Sequence, residues 1–207
     1  LCHGAGMPVA FNICLQRDDF FNGVFEEVMN KARTFGGCLV QLIHPKRAGI
    51  WLENGPGPFS TEDIEQVKKL VTLYNLDPNY ADYPSISAQI VEEAPEMFGC
   101  TAGATDRFYI NAQGEVQPCE FLNISFGNIA EEDFSHIYRR MRDVFKHPGT
   151  NWLCEKYSPE IAKIYHENNL KTMPLSGELS ARIYNELEQG ASTELYSKIR
   201  NIGGEGR

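Results

Sequence analysis

Apolar positions in the first part of the chain fall into two alternating kinds of segment. Val9–Leu15 and Cys38–Ile43 are short, nearly unbroken apolar runs, as expected for buried strands, with Cys14 and Cys38 as core residues. Between them Phe20, Phe21, Val24, Phe25, Val28, Met29, Ala32 and Phe35 recur at steps of three and four. That spacing predicts an amphipathic helix, opened by Asp18 and Asp19 and closed by Gly36-Gly37. Strand, helix and strand make a βαβ unit, and with it a parallel sheet and a right-handed crossover. After a Pro/Gly loop at Gly55–Pro58, Ser60 and Asp63 resemble a capping box. They open a helix through Tyr74 with Ile64, Val67, Leu70 and Val71 facing inward. Asp77-Pro78 and Asp82-Tyr83-Pro84 then punctuate the chain, and a boundary is expected near them.

Beyond that boundary the pattern changes to period two. Phe108, Ile110, Val116 and Cys119 alternate about a turn containing Gly114, which predicts a hairpin with one buried face. A helix is expected from about Glu131 to Lys146, ended by His147-Pro148-Gly149. Further helices should start at Ser158-Pro159-Glu160 and span Ser176–Glu188 and Ser192–Arg200, before a frayed tail at Gly203–Arg207. Arg139, Arg140 and Arg142 read as a solvated helix face.

Composition narrows the class. The chain has 207 residues, 42% of them apolar and 23% charged, an ordinary balance for a globular protein with a real core. A net charge of −9 weighs against a nucleic-acid or anionic-membrane partner. No apolar run approaches the ~20 residues that span a bilayer. Six cysteines are too sparse for a disulfide scaffold, which favours a reducing, cytoplasmic setting where clustered thiols serve metals or catalysis. The abrupt start, Leu1-Cys2-His3-Gly4, reads as the interior of a longer protein.

Three of those cysteines frame the hairpin. Cys100 and Cys119 fall in Cys-x13-Gly-x4-Cys, and Cys154 follows. A strand, a Gly turn and a return strand ending on a cysteine bring distant thiols to one place, where they can hold an iron–sulfur cluster or a metal ion. A zinc site would want a fourth ligand, for which His136 or His147 could serve. Three buried free thiols are the bland alternative.

This order of elements resembles the carboxy-terminal portion of radical S-adenosylmethionine (SAM) enzymes with a SPASM or twitch extension. The residues that carry it are a βαβα remnant, Cys-x13-Gly-x4-Cys, Pro118-Cys119-Glu120-Phe121-Leu122 and Gly127-Asn128-Ile129 before a helix. The resemblance, which covers most of residues 7 to 155, implies an α/β fold: the last part of a partial (β/α) TIM-type barrel over residues 1–85 and a hairpin-plus-helix cluster domain over 86–155. Residues 156–207 carry no family signature and read from their pattern as a helical extension. It implies an auxiliary [4Fe–4S] cluster on Cys100, Cys119 and Cys154, with one iron lacking an evident protein ligand; Glu120 or Cys2 could reach it. Asn12 and His44, with Lys46 and Arg47, could face SAM or substrate, since barrel sites gather at the carboxyl ends of strands.

The family's SAM-cleaving motif, Cys-x3-Cys-x2-Cys, is absent from these residues. The expectation is therefore a segment of a parent enzyme that holds SAM and a second [4Fe–4S] cluster elsewhere. That parent would act on a small-molecule or peptide substrate, generate a 5′-deoxyadenosyl radical, and take electrons from a donor such as a ferredoxin or flavodoxin. A non-catalytic cluster-binding module is the rival.

Overall fold

The apolar runs form strands β1 (Val9–Cys14) and β2 (Gly37–Ile43), and Ser85–Ala88 adds β3. All three are parallel, in the order β1-β2-β3. The computed structural model describes residues 2–55 and 57–204. Its chain divides into two units, Leu1–Pro45 with Pro56–Glu92, and Lys46–Gly55 with Glu93–Arg207.

In the first unit α1 (Arg17–Phe21) and α2 (Val24–Thr34) replace the one long helix that the periodicity predicts. The break falls at Asn22-Gly23, and Phe35, beyond the end of α2, is exposed. The helix α3 (Thr61–Leu76) follows β2, and its Ser60–Asp63 capping box is formed in both directions. A short α4 (Gln89–Glu92) follows β3.

Register puts Phe11 and Ile13, Val40 and Leu42, and Ile86 and Ala88 on one face of the sheet. That is the buried side, with Phe20, Phe25 and Met29 from the helices among the core residues. The other face carries Ala10, Asn12, Cys14, Leu39, Gln41, Ile43, Ser85 and Ser87, none of them buried. The expectation of strands enclosed on both sides is thus corrected. Cys14 and Cys38 are exposed thiols, and the Cys38 sulfur donates to the Val9 carbonyl oxygen at 3.3 Å. An apolar run does not reveal how many of its faces are covered. Among the described residues no closed barrel forms; the architecture is a mixed α/β fold with one three-stranded parallel sheet.

The second unit is built otherwise. Its hairpin pairs only β4 (Tyr109–Ile110) with β5 (Val116–Gln117), and the rest of its described residues are loop, a 3-10 turn at Gly49–Trp51 and the helices α5 (Phe134–Val144), α6 (Leu153–Glu167), α7 (Gly177–Tyr184) and α8 (Glu194–Gly204). Leu122, Ile124, Ile137, Met141, Phe145 and Ile164 are fully buried in one continuous core. The side chains of β4 are exposed whereas Val116 is buried, so the hairpin buries one strand rather than one face.

Three further expectations change. Arg140 and Arg142 are not a solvated face. Arg140 Nε donates to the Phe126 carbonyl oxygen at 2.9 Å, and Arg142 Nη1 reaches Thr105 Oγ1 at 3.0 Å. Helix α6 starts before Ser158-Pro159 and carries Pro159 in its interior. Proline removes the N–H that would bond the Glu155 carbonyl oxygen, and the Ser158 hydroxyl donates to that oxygen instead, at 3.3 Å. Of the expected tail, α8 takes in Gly203 and Gly204, and residues 205–207 lie outside the described residues.

Candidate functional site

Backbone pairing gathers the three cysteines of the second unit. Cys100 forms an isolated antiparallel bridge with Gly149, its N–H donating at 2.8 Å and its carbonyl oxygen accepting at 3.2 Å. That bridge fixes Cys100 beside the segment leading into α6, where Cys154 lies in the first turn. Past Cys100 the chain folds back, and the Gly103 N–H donates to the Pro118 carbonyl oxygen at 2.9 Å, next to Cys119. Gly114 returns the hairpin at a φ of +86°, a left-handed conformation that favours the expected turn glycine, and a Cβ there would displace the Asn128 Oδ1 now 2.6 Å from its place.

All three thiols are buried and free of disulfides. The Cys100 sulfur lies against the N–H groups of Leu153 and Ala102, and the Cys119 sulfur against that of Phe121. Leu153 opens α6, so the positive end of a helix also faces Cys100. Burial raises all three thiols: Cys154 to about 12, Cys119 well above the ordinary thiol value, and Cys100 upward against its two N–H donors. Mutual repulsion adds to this, Cys119 facing both other sulfurs. Such thiols stay protonated and inert unless a metal displaces the protons.

Lys46, Glu93 and Glu155 bear electrostatically on the sulfurs. The Lys46 Nζ is 2.9 Å from Glu155 Oε1 and 3.2 Å from the centroid of the Trp152 ring. Trp152 Nε1 donates to the Glu93 carbonyl oxygen at 2.7 Å. The Glu93 carboxylate pairs with Arg107, whose Nη2 also donates to Thr101 Oγ1 at 3.1 Å. Sequence reading does not find Trp152, Glu155, Glu93 and Arg107. Lys46 and Glu155 are 109 positions apart, and no local pattern links them.

The remaining candidates are spread out. Glu120 is exposed and bears on Cys119 electrostatically. His136 and Cys2 are exposed, and His147 Nδ1 lies 2.9 Å from the Pro148 carbonyl oxygen. Among the described residues, no three His, Cys, Asp or Glu side chains form a group that could hold a metal ion. In the first unit Asn12 is on the uncovered sheet face, in register with Gln41 and through it with Ser87. His44 is buried, its ring 4.8 Å from that of Phe59 and its N–H donating to Gln89 Oε1 at 3.3 Å.

No helix among the described residues is long and apolar enough to cross a membrane. No curated protein and no solved structure matches the chain. Residues 100–172 match the SPASM family model, described as an iron–sulfur cluster-binding domain. The matched segment holds Cys100, Cys119 and Cys154 with the backbone bridges that gather them, and it supports a SPASM-type, cluster-binding domain in this part of the chain.

Proposed function

We infer that this chain is the auxiliary-cluster portion of a radical-SAM-type enzyme, with Cys100, Cys119 and Cys154 ligating one [4Fe–4S] cluster. The observation that carries the reading is the match of residues 100–172 to an iron–sulfur cluster-binding family model, in a segment that holds three buried free thiols with backbone N–H groups beside two of them. When bound, such a cluster supplies one-electron transfer or an iron that anchors substrate.

The donor chemistry fits. Thiolates are the usual ligands of iron–sulfur clusters, and N–H groups beside the sulfurs tune potential. A single zinc ion would need its thiolates about 3.8 Å apart, on a Zn–S distance of about 2.3 Å in a tetrahedron. A cluster instead distributes its thiolate ligands over several irons.

Cys100 and Cys119 belong to one buried core with Leu122, Phe145 and Leu153, Cys154 is buried as well, and Cys100 is held at a helix start. The first unit supports a place in a partial barrel: parallel strands are covered by helices on one face, and the other face bears the polar row Asn12, Gln41 and Ser87. Asn12 on that row is the residue we assign to SAM or substrate contact. On this reading the substrate is a small molecule or a peptide, the electron donor is of ferredoxin or flavodoxin type, and the setting is cytoplasmic.

Anaerobic reconstitution tests the assignment. The expected product carries about four irons and four sulfides per chain. Cys100→Ala and Cys119→Ala should lose most of that iron, and Cys14→Ala should keep it. Equal iron in all variants, or one zinc in place of the irons, rules the ligand set out.

A further inference from the structure

Lys46 follows β2 by three positions in a loop where the sequence leaves a solvated role and a ligand-facing role equally open. The structure turns it inward, with its side chain only 1% exposed. An ammonium group so removed from water needs strong compensation. It has two partners: the Glu155 carboxylate at 2.9 Å and the face of Trp152 at 3.2 Å. Both partners belong to the start of α6, one on each side of the Leu153-Cys154 pair. Trp152 is itself anchored through Nε1 to Glu93. The lysine is thereby clamped to the turn that presents Cys154, and its charge bears on Cys100 as well.

We propose that Lys46 is a positioning and electrostatic residue of the sulfur site, whose clamped ammonium raises the reduction potential of a cluster held by Cys100, Cys119 and Cys154. The proposal rests on the cluster reading above. Reduction adds an electron to the site, so a fixed cation nearby stabilises the reduced form and a fixed anion destabilises it. Glu155, Glu93 and Glu120 are the anions that bear on the sulfurs, and Arg107 pairs with Glu93. Lys46 stands out as the cation acting on two of the three ligands. Its partner Glu155 both holds it and partly cancels it, which gives the pair a signature that packing alone lacks: the two members should push the potential in opposite directions.

The test compares wild type, Lys46→Met, Lys46→Arg and Glu155→Gln after anaerobic reconstitution. Iron content is measured first, and then the midpoint potential by redox titration followed by electron paramagnetic resonance. The expected result is a lower potential in Lys46→Met, a higher one in Glu155→Gln, and a near wild-type value in Lys46→Arg. Shifts of the same sign, or none, in variants that carry wild-type iron overturn the proposal while leaving the ligand assignment intact. Should Lys46→Met fail to fold or load, Glu155→Gln decides alone, and an unchanged or lowered potential there is the overturning result. A wild type that takes up no iron removes the cluster reading, and this inference with it.

Discussion

The two units solve the problem of burial differently. The first relies on regular elements: three parallel strands in continuous register, with aromatic residues of α1–α3 over one face. The second has four strand residues among those described, yet it holds a larger continuous core and the three cysteines assigned to the cluster. Its loops are tied by isolated bridges, such as Cys100 with Gly149, and by side chains that cap carbonyl groups, such as Arg140 on Phe126. A repeating ladder places every second side chain on one face. A site needing three sulfurs from distant segments requires irregular backbone, and irregular backbone tolerates change poorly where it passes through a core.

The largest expected effect follows from that contrast. Gly103 has a φ of +80°, and a Cβ there would stand 1.9 Å from Cγ of the buried Phe145. Gly103→Ala should cost about 3 kcal/mol or more, from strain and overpacking together. It should also lower iron uptake, because the same residue ties the Cys100 loop to Pro118. Thermal denaturation and reconstitution measure both losses. A fully stable variant would contradict the view that this loop is rigidly packed.

An intermediate effect belongs to the first unit and depends on pH. Asp63 accepts from Arg17 Nε at 2.7 Å and Nη2 at 2.9 Å and from the Ser60 N–H at 2.8 Å. The Arg17 guanidinium, and then Ser60, hold its carboxyl at about 2, well below the ordinary carboxylate range. A carboxyl depressed by folding stabilises the fold above its unfolded pKa of about 4, and that contribution is lost as pH falls toward 2. Asp63→Asn should cost about 1 kcal/mol at neutral pH through the weakened cap and should flatten the acid limb of stability. Urea midpoints between pH 2 and 6 give the comparison, and equal acid slopes in the two proteins would remove the pair from the account.

The smallest effect should come from the uncovered sheet face. Asn12→Ala should change stability by no more than about 0.5 kcal/mol, as expected for an exposed site with no buried partner, and should leave iron uptake unchanged. A large loss in the urea midpoint would mean that Asn12 serves the fold instead of a ligand.

Much of the first unit was legible because its cues are local. Ser60 and Asp63 are a capping box in sequence and in space, and the three-and-four spacing marked Phe20, Phe25, Met29 and Ala32 correctly as buried. What failed there was global: nothing within Val9–Leu15 tells that one face of its strand has no cover. In the second unit the motif Cys-x13-Gly-x4-Cys announced the hairpin and the need for glycine at position 114. The start of α6 was misread because a proline usually opens a helix, whereas here Ser158 compensates for Pro159 within it. The inward turn of Lys46 could not be read at all, since its partner Glu155 lies 109 positions away along the chain.

The exposure of Cys2, Cys14 and Cys38 beside the burial of Cys100, Cys119 and Cys154 divides the chain's sulfur chemistry into two compartments. The outer set is open to alkylating reagents, to air and to cross-linking between molecules; the inner set is shielded by the surrounding core. A maleimide applied before reconstitution can therefore silence the outer thiols and leave the inner ones for iron, with no mutation needed to tell the two sets apart.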